Sequence, residues 1–225
     1  MIPIRDTTKS STIPFVNYGL IAVCALVFLY EVSLGTRADS LLWRYGVIPR
    51  NVSHVLFEGY FAFAPLVTIF TSIFLHGGIM HLVGNMLYLY IFGDNVEDRL
   101  GHGLYLLFFL ASGAGAALTE VYARQESMVP LIGASGAIAG VLGAYFLLFP
   151  RAKVLTLIPL FVFFPVVEIP AFFFLGFWFL LQFLLGSIDT GVGQSTGVAW
   201  WAHAGGFVLG LILLPVLLVL RRIAR

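Results

Sequence analysis

Charge is scarce in this sequence. Of 225 residues only 10% are Asp, Glu, Lys or Arg, where a soluble domain carries about 25%, so a water-facing surface cannot be covered. The few charges nearly cancel, with 12 basic residues against 11 acidic. That excludes the basic field that nucleic acid requires and the acidic field that would gather cations. Cysteine is reduced to Cys24, and one thiol builds no disulfide framework, cysteine zinc site or iron–sulfur cluster. No metal or cofactor is implied. Internal repeats, low-complexity tracts and a soluble appendage are missing as well. What is present is apolar: 60% of the residues are hydrophobic and the mean hydropathy is +1.00. The expected class is an all-α polytopic membrane protein, residues 1–225 forming one domain.

Crossing the hydrocarbon core takes about 20 apolar residues. Uncharged runs of that order place spans at about residues 11–30, 78–93, 100–119, 132–149, 170–185 and 198–220. The uncharged stretch from Gly59 to Gly93 is too long for one helix, and Gly77-Gly78 divides it. Phe61–Leu75 is therefore expected to be a membrane-embedded or interfacial part of the loop between the first two spans. Val154–Val167 carries prolines among Val, Ile and Phe, and reads as an interfacial hairpin rather than a helix. Six spans put both ends of the chain on one side. That face would carry Arg5, Lys9, Arg99, Arg151, Lys153, Arg221, Arg222 and Arg225, against Arg37, Arg44, Arg50 and Arg124 opposite. Eight cations against four favour cytoplasmic termini in the cell (inner) membrane. Arg5 and Lys9 precede an apolar run with no small-residue cleavage site after it, which reads as an anchored span.

Strongly polar side chains inside spans are costly and normally face the bundle interior. The candidates are His76, His81, Asn85, Ser135 and His203. Spans two, four and six all begin at the outer face, so these groups share one shallow depth. His81 and Asn85, four apart, project from one helix face. Ser135 stands in Gly133-Ala134-Ser135-Gly136, where the backbone can bend and helix-start N–H groups are exposed, the usual donors to a developing oxyanion. Gly136, Gly140 and Gly143 form a small-residue stripe on the fourth span, and Gly206 and Gly210 match it behind His203. Two such stripes pack closely and would bring Ser135 within reach of His203. Serine needs a base to take its proton, and histidine is suited to that near neutrality. His81, Asn85 and the Ser135 N–H are the candidate oxyanion donors. Glu168 falls on the cytoplasmic side and Asp189 in the loop before the last span, so a dyad is expected rather than an acid-containing triad. Taken singly, Gly-x-Ser-Gly is a packing motif and an intramembrane histidine a packed one. His76 and His102 read as interfacial residues, His76 with a supporting part near the site, and His54 as a loop residue with no partner in the sequence.

At these positions the chain resembles the rhomboid family of intramembrane serine proteases, in its bacterial six-helix form. The likeness covers about Trp43 to Leu211 and rests on His81-x-x-x-Asn85, Gly133-Ala134-Ser135-Gly136 and Ala202-His203-x-x-Gly206-x-x-x-Gly210, in the family's order. It implies a six-helix bundle around a water-filled cavity open to the outer side, with Ser135 as nucleophile and His203 as general base and acid. His81 and Asn85, with backbone N–H groups, would form the oxyanion hole, and the loop between the first two spans would be membrane-embedded. Two departures stand out. Many members carry an aromatic residue four positions after the nucleophile, to stack on the imidazole, and here that residue is Ala139. The family's Trp-Arg pair is absent near Val67-Thr68, although Trp43-Arg44 occurs earlier.

The implied activity is hydrolysis of peptide bonds in or beside transmembrane segments of substrate proteins, with entry between the second and fifth spans past the Phe-rich stretch Phe172–Phe183. Two other readings remain open from sequence. One is a non-proteolytic relative that binds membrane helices, although such relatives usually lack the nucleophile or base. The other is a transporter, whose sites usually lie at the midplane in repeated, broken helices.

Overall fold

The structure, a computed structural model, describes residues 1–192 and 198–223; Arg225, counted above with the terminal face, lies outside them. A short strand β1 (Ile2–Asp6) leads into helix α1 (Phe15–Ser33). The loop that follows holds α2 (Ala38–Tyr45), α3 (Pro49–Phe57) and α4 (Ala64–Thr71), the last continuing into a 3₁₀ turn, Ser72–Phe74. Helices α5 (Ile79–Leu100), α6 (His102–Ala123) and α7 (Ser135–Leu148) precede strands β2 (Lys153–Leu157) and β3 (Val166–Pro170). Helices α8 (Ala171–Val192) and α9 (Trp200–Ile223) complete the bundle.

The chain is a multi-span membrane bundle. Helices α1, α6, α8 over Ala171–Asp189, and α9 are each long and apolar enough to cross a bilayer. Ala64–Phe74 and α5 pass the same test as a pair bent by 78°, which makes the Phe61–Leu75 segment a short helical excursion beside the second span. Helix α7 has 14 residues, about 21 Å at 1.5 Å per residue, short of the roughly 30 Å hydrocarbon core. It can be short because it is the central element: every residue from Gly136 to Tyr145 is buried. Its glycine stripe lets it seat directly on α9. A methyl at Gly206 or Gly210 would strike the carbonyl of Gly136 or Gly140, and one at Gly143 the carbonyl of Phe207.

Three features depart from the sequence expectations. Helix α5 does not stop near Gly93 but runs through Asp94, Glu97, Asp98 and Arg99 to Leu100. The physical reason is tertiary. Pro14 offers no side-chain cap to α1, and the buried Glu97 supplies it, accepting the N–H groups of Val16 (3.0 Å) and Asn17 (2.7 Å). Asp98 takes the hydroxyls of Ser11 (2.8 Å) and Thr12 (2.7 Å) in the same way. Gly101, at φ +77°, then makes the break before α6.

Helix α8 likewise continues beyond Leu185, so Asp189 is helical and buried instead of lying in a loop. Its carboxylate pairs with Arg124 at 2.9 Å. The hairpin expected at Val154–Val167 is present as antiparallel β2 and β3, Lys153 facing Pro170 and Leu157 facing Val166. Strand β1 adds to it as an unforeseen third strand, Ile2 opposite Leu157 and Asp6 opposite Val154.

Candidate active site

The amino-terminal ends of α5, α7 and α9 converge on one cavity of about 430 Å³, lined by His81, Asn85, Ser135 and His203 together with Glu120 and Arg124. The local fold explains the convergence. The chain before α7 is stitched down by paired bonds between Val47 and Leu131 (3.0 and 2.7 Å) and by Gly133 N–H to the Ser72 carbonyl (2.9 Å). Gly133 sits at φ +113°, and a side chain there would collide with the His81 ring at 2.7 Å. This backbone drops Ser135 into the bundle as the first residue of α7, where the leading N–H groups have no intrahelical acceptor.

His203 Nε2 lies 2.8 Å from Ser135 Oγ, within the reach a nucleophile and its base require. Its Nδ1 lies 2.8 Å from Gln182 Oε1 on α8. The ring is flanked by Trp178 (centroids 5.9 Å apart, tilted) and Trp200 (6.3 Å, edge-on). The aromatic neighbours of the imidazole thus come from α8 and α9, not from position 139 of α7, which is Ala. Helix α9 is itself fixed at its start by Glu120 of α6, whose carboxylate accepts the Ala202 N–H at 3.0 Å, a favourable charge at a helix N-terminus.

On the other wall, Asn85 Nδ2 is buried with no hydrogen-bond partner among the described residues. A donor left unsatisfied in a low-dielectric site costs about 1–3 kcal/mol and is the feature expected of a group kept for a ligand oxygen. His81 stacks edge-on with His76, centroids 5.3 Å apart, and the His76 N–H is held by Glu31 at 3.2 Å. His76 therefore backs the site rather than lying idle at an interface.

The structure brings together His81, Asn85, Ser135 and His203, and places Gly133, Gly136, Gly140, Gly206 and Gly210 in the packing behind them. His54, read as unpartnered, instead meets Glu58 at 3.3 Å. Trp43 is half exposed and Arg44 covers the Tyr45 ring at 5.6 Å. Sequence reasoning missed Gln182, Glu120, Trp178 and Trp200. For Gln182 a signal exists: it is the one amide in the apolar run Ala171–Leu185, and a buried amide demands a partner.

A model of the Rhomboid domain matches residues 64–220, from the first residue of α4 almost to the end of α9. The chain is 33% identical over 151 residues to Rhomboid protein 1, mitochondrial, of Saccharomyces cerevisiae, covering 65% of this chain and 40% of the yeast protein. It is 32% identical over 148 residues to the RHOMBOID-like protein 6, mitochondrial, of Arabidopsis thaliana, covering 64% and 42%. With Rhomboid protease GluP of Bacillus subtilis it shares 35% identity over 133 residues, covering 58% and 24%. The matched part is thus about two fifths or less of each of these relatives. A domain match spanning most of the bundle, together with relatives of one name from three organisms, establishes that this chain belongs to the rhomboid family.

Proposed function

We propose that the chain is an intramembrane serine endopeptidase that hydrolyses peptide bonds in or near transmembrane segments of membrane proteins. The observation that carries this reading is the 2.8 Å contact between Ser135 Oγ and His203 Nε2 at a cavity that His81, Asn85, Glu120 and Arg124 also line, in an otherwise apolar bundle. In the proposed sequence His203 Nε2 takes the Ser135 proton as Oγ attacks the substrate carbonyl. The carbonyl oxygen becomes an oxyanion, for which His81, Asn85 Nδ2 and the Ser135 N–H are the proposed donors; all three residues line the cavity, and Asn85 Nδ2 has no hydrogen-bond partner among the described residues. The imidazolium then returns its proton to the leaving amine, and an acyl ester remains on Ser135. Water attacks that ester with His203 again accepting a proton, and the acid product leaves with Oγ reprotonated.

A helical substrate shields its carbonyls by hydrogen bonds, so it must unwind before Ser135 reaches one. Entry is proposed between α5 and α8, which touch through Phe92 and Phe174 while Phe172, Phe173 and Phe177 are exposed. The eight-to-four distribution of cations supports a multi-pass protein of the cell membrane with both ends cytoplasmic.

The reading is tested with a single-span substrate in liposomes. Wild type is expected to cleave it, and the Ser135→Ala and His203→Ala variants are expected not to. Equal cleavage by the Ser135→Ala variant would remove serine catalysis from consideration.

A further inference from the structure

The geometry points to Gln182 as the positioning residue that sets the tautomer of His203, in the place an acid holds in a triad; this rests on the dyad proposed above. A neutral imidazole carries one proton, on Nδ1 or on Nε2. Only the Nδ1–H form offers a lone pair at Nε2 to the Ser135 hydroxyl. The side chain facing Nδ1 is an amide whose oxygen, at 2.8 Å, is an acceptor and holds no proton of its own. The Nδ1–H donates to it, and Nε2 is left as the base towards Ser135 at 2.8 Å.

The amide is built for this contact. Gln182 is 7% exposed, and among the described residues its oxygen is satisfied by the hydrogen bond to His203. Trp178 lies one turn earlier on the same face of α8, its indole 5.9 Å from the same imidazole. One face of α8 therefore supplies both the acceptor for Nδ1 and an aromatic wall for the ring, where α7 presents only Ala139. An acid in this position would place a further charge beside the imidazole in an apolar bundle. The amide orients the ring through its dipole alone and avoids that cost. Holding the wrong tautomer in a soluble serine protease lowers the rate by about 10⁴-fold. Gln182 guards against the same fault, and loss of one hydrogen bond of this kind corresponds to about tenfold or more in rate.

The test compares purified wild type, Gln182→Met and Gln182→Glu on a single-span substrate in liposomes, with Ser135→Ala alongside. The Met variant keeps the side-chain volume and loses the acceptor. It is expected to lower kcat about tenfold or more with KM unchanged, and the Glu variant, which restores an acceptor, is expected to recover most of the rate. Nitrogen-15 NMR of labelled histidine in the wild type reports the tautomer without any turnover and is expected to find His203 protonated on Nδ1. Wild-type kcat in the Met variant, equal loss in both Gln182 variants, or a wild-type His203 protonated on Nε2 overturns the assignment. Where Ser135→Ala is inactive, such a result leaves the dyad standing and removes only Gln182. Cleavage by Ser135→Ala would bring down the dyad itself.

Discussion

Replacing Gly136 by alanine is expected to disarm the site without touching either member of the proposed dyad. A Cβ built at Gly136 lies 2.6 Å from the Cβ of Ala116 on α6, and it already meets the carbonyl oxygen and Cβ of Ala202 on α9 at 3.8 and 3.9 Å. Carbon atoms in ordinary contact sit about 3.5–4.0 Å apart, so the first turn of α7 must move by about 1 Å. Ala116 has no rotamer with which to yield. Ser135 is the residue next to Gly136 and moves with it, so its 2.8 Å hydrogen bond to His203 is stretched out of range. Overpacking of this size costs about 1–3 kcal/mol in stability, and a 1 Å misplacement of a reacting group costs about 10²-fold in rate. Cleavage of a single-span substrate and thermal unfolding in the same detergent measure the two effects. Gly84→Ala is the control: it lies between His81 and Asn85, yet a methyl there meets nothing within 4 Å, so cleavage should persist and stability rise by about 0.5–1 kcal/mol. A Gly136→Ala protein that cleaves and melts like wild type would refute the reasoning that this helix contact sets the Ser135 position.

Removing the Asn85 amide as Asn85→Ala should reduce kcat by about 10²–10³-fold, the range for one oxyanion donor, with little change in KM; an unchanged kcat would take Asn85 out of the proposed oxyanion hole. Arg124→Met removes the 2.9 Å ion-pair partner of the buried Asp189 carboxylate and should destabilise the protein, read as a fall in melting temperature that an Arg124→Met/Asp189→Asn double variant partly restores. Burial raises the Asp6 carboxyl above its ordinary value. Its ionised form is therefore the costly one in the fold, and that cost, present above the folded pKa, disappears as pH falls towards about 3.9, the unfolded value. Wild type should accordingly gain in melting temperature on an Asp6→Asn variant as pH is lowered from 7 towards 4; a gap that stays constant or moves the other way would contradict this.

The helices were legible wherever lipid alone decides them. Uncharged runs located α1, α6, α8 and α9, and the cost of polar groups in lipid picked out His81, Asn85, Ser135 and His203. What escaped depends on partners that no local window contains. The polar end of α5 reads as a loop until Glu97 and Asp98 are seen capping α1, and the end of α8 until Asp189 finds Arg124. Strand β1 is five residues long and its partner lies some 150 positions downstream. Gln182 was hidden for a different reason: a neutral amide is a weaker mark in an apolar run than a charge, although the same rule of buried polarity applies to it.

That strand also has a consequence for how the molecule is made. Residues 2–6 are made well before Val154–Leu157, with which they pair, and α1 to α7 are synthesised in between. At 5–20 residues per second the wait is about 8–30 s, during which β1 is an unpaired edge and Asp6 lacks the Tyr145 hydroxyl that it later accepts. Pairing of β1 with β2 is thus a late closure that records whether α7 has been threaded and the following hairpin returned to the side of the first strand. The three strands thus tie the chain ahead of α1 to the chain that follows α7, a closure that can form only after every helix between them has been made.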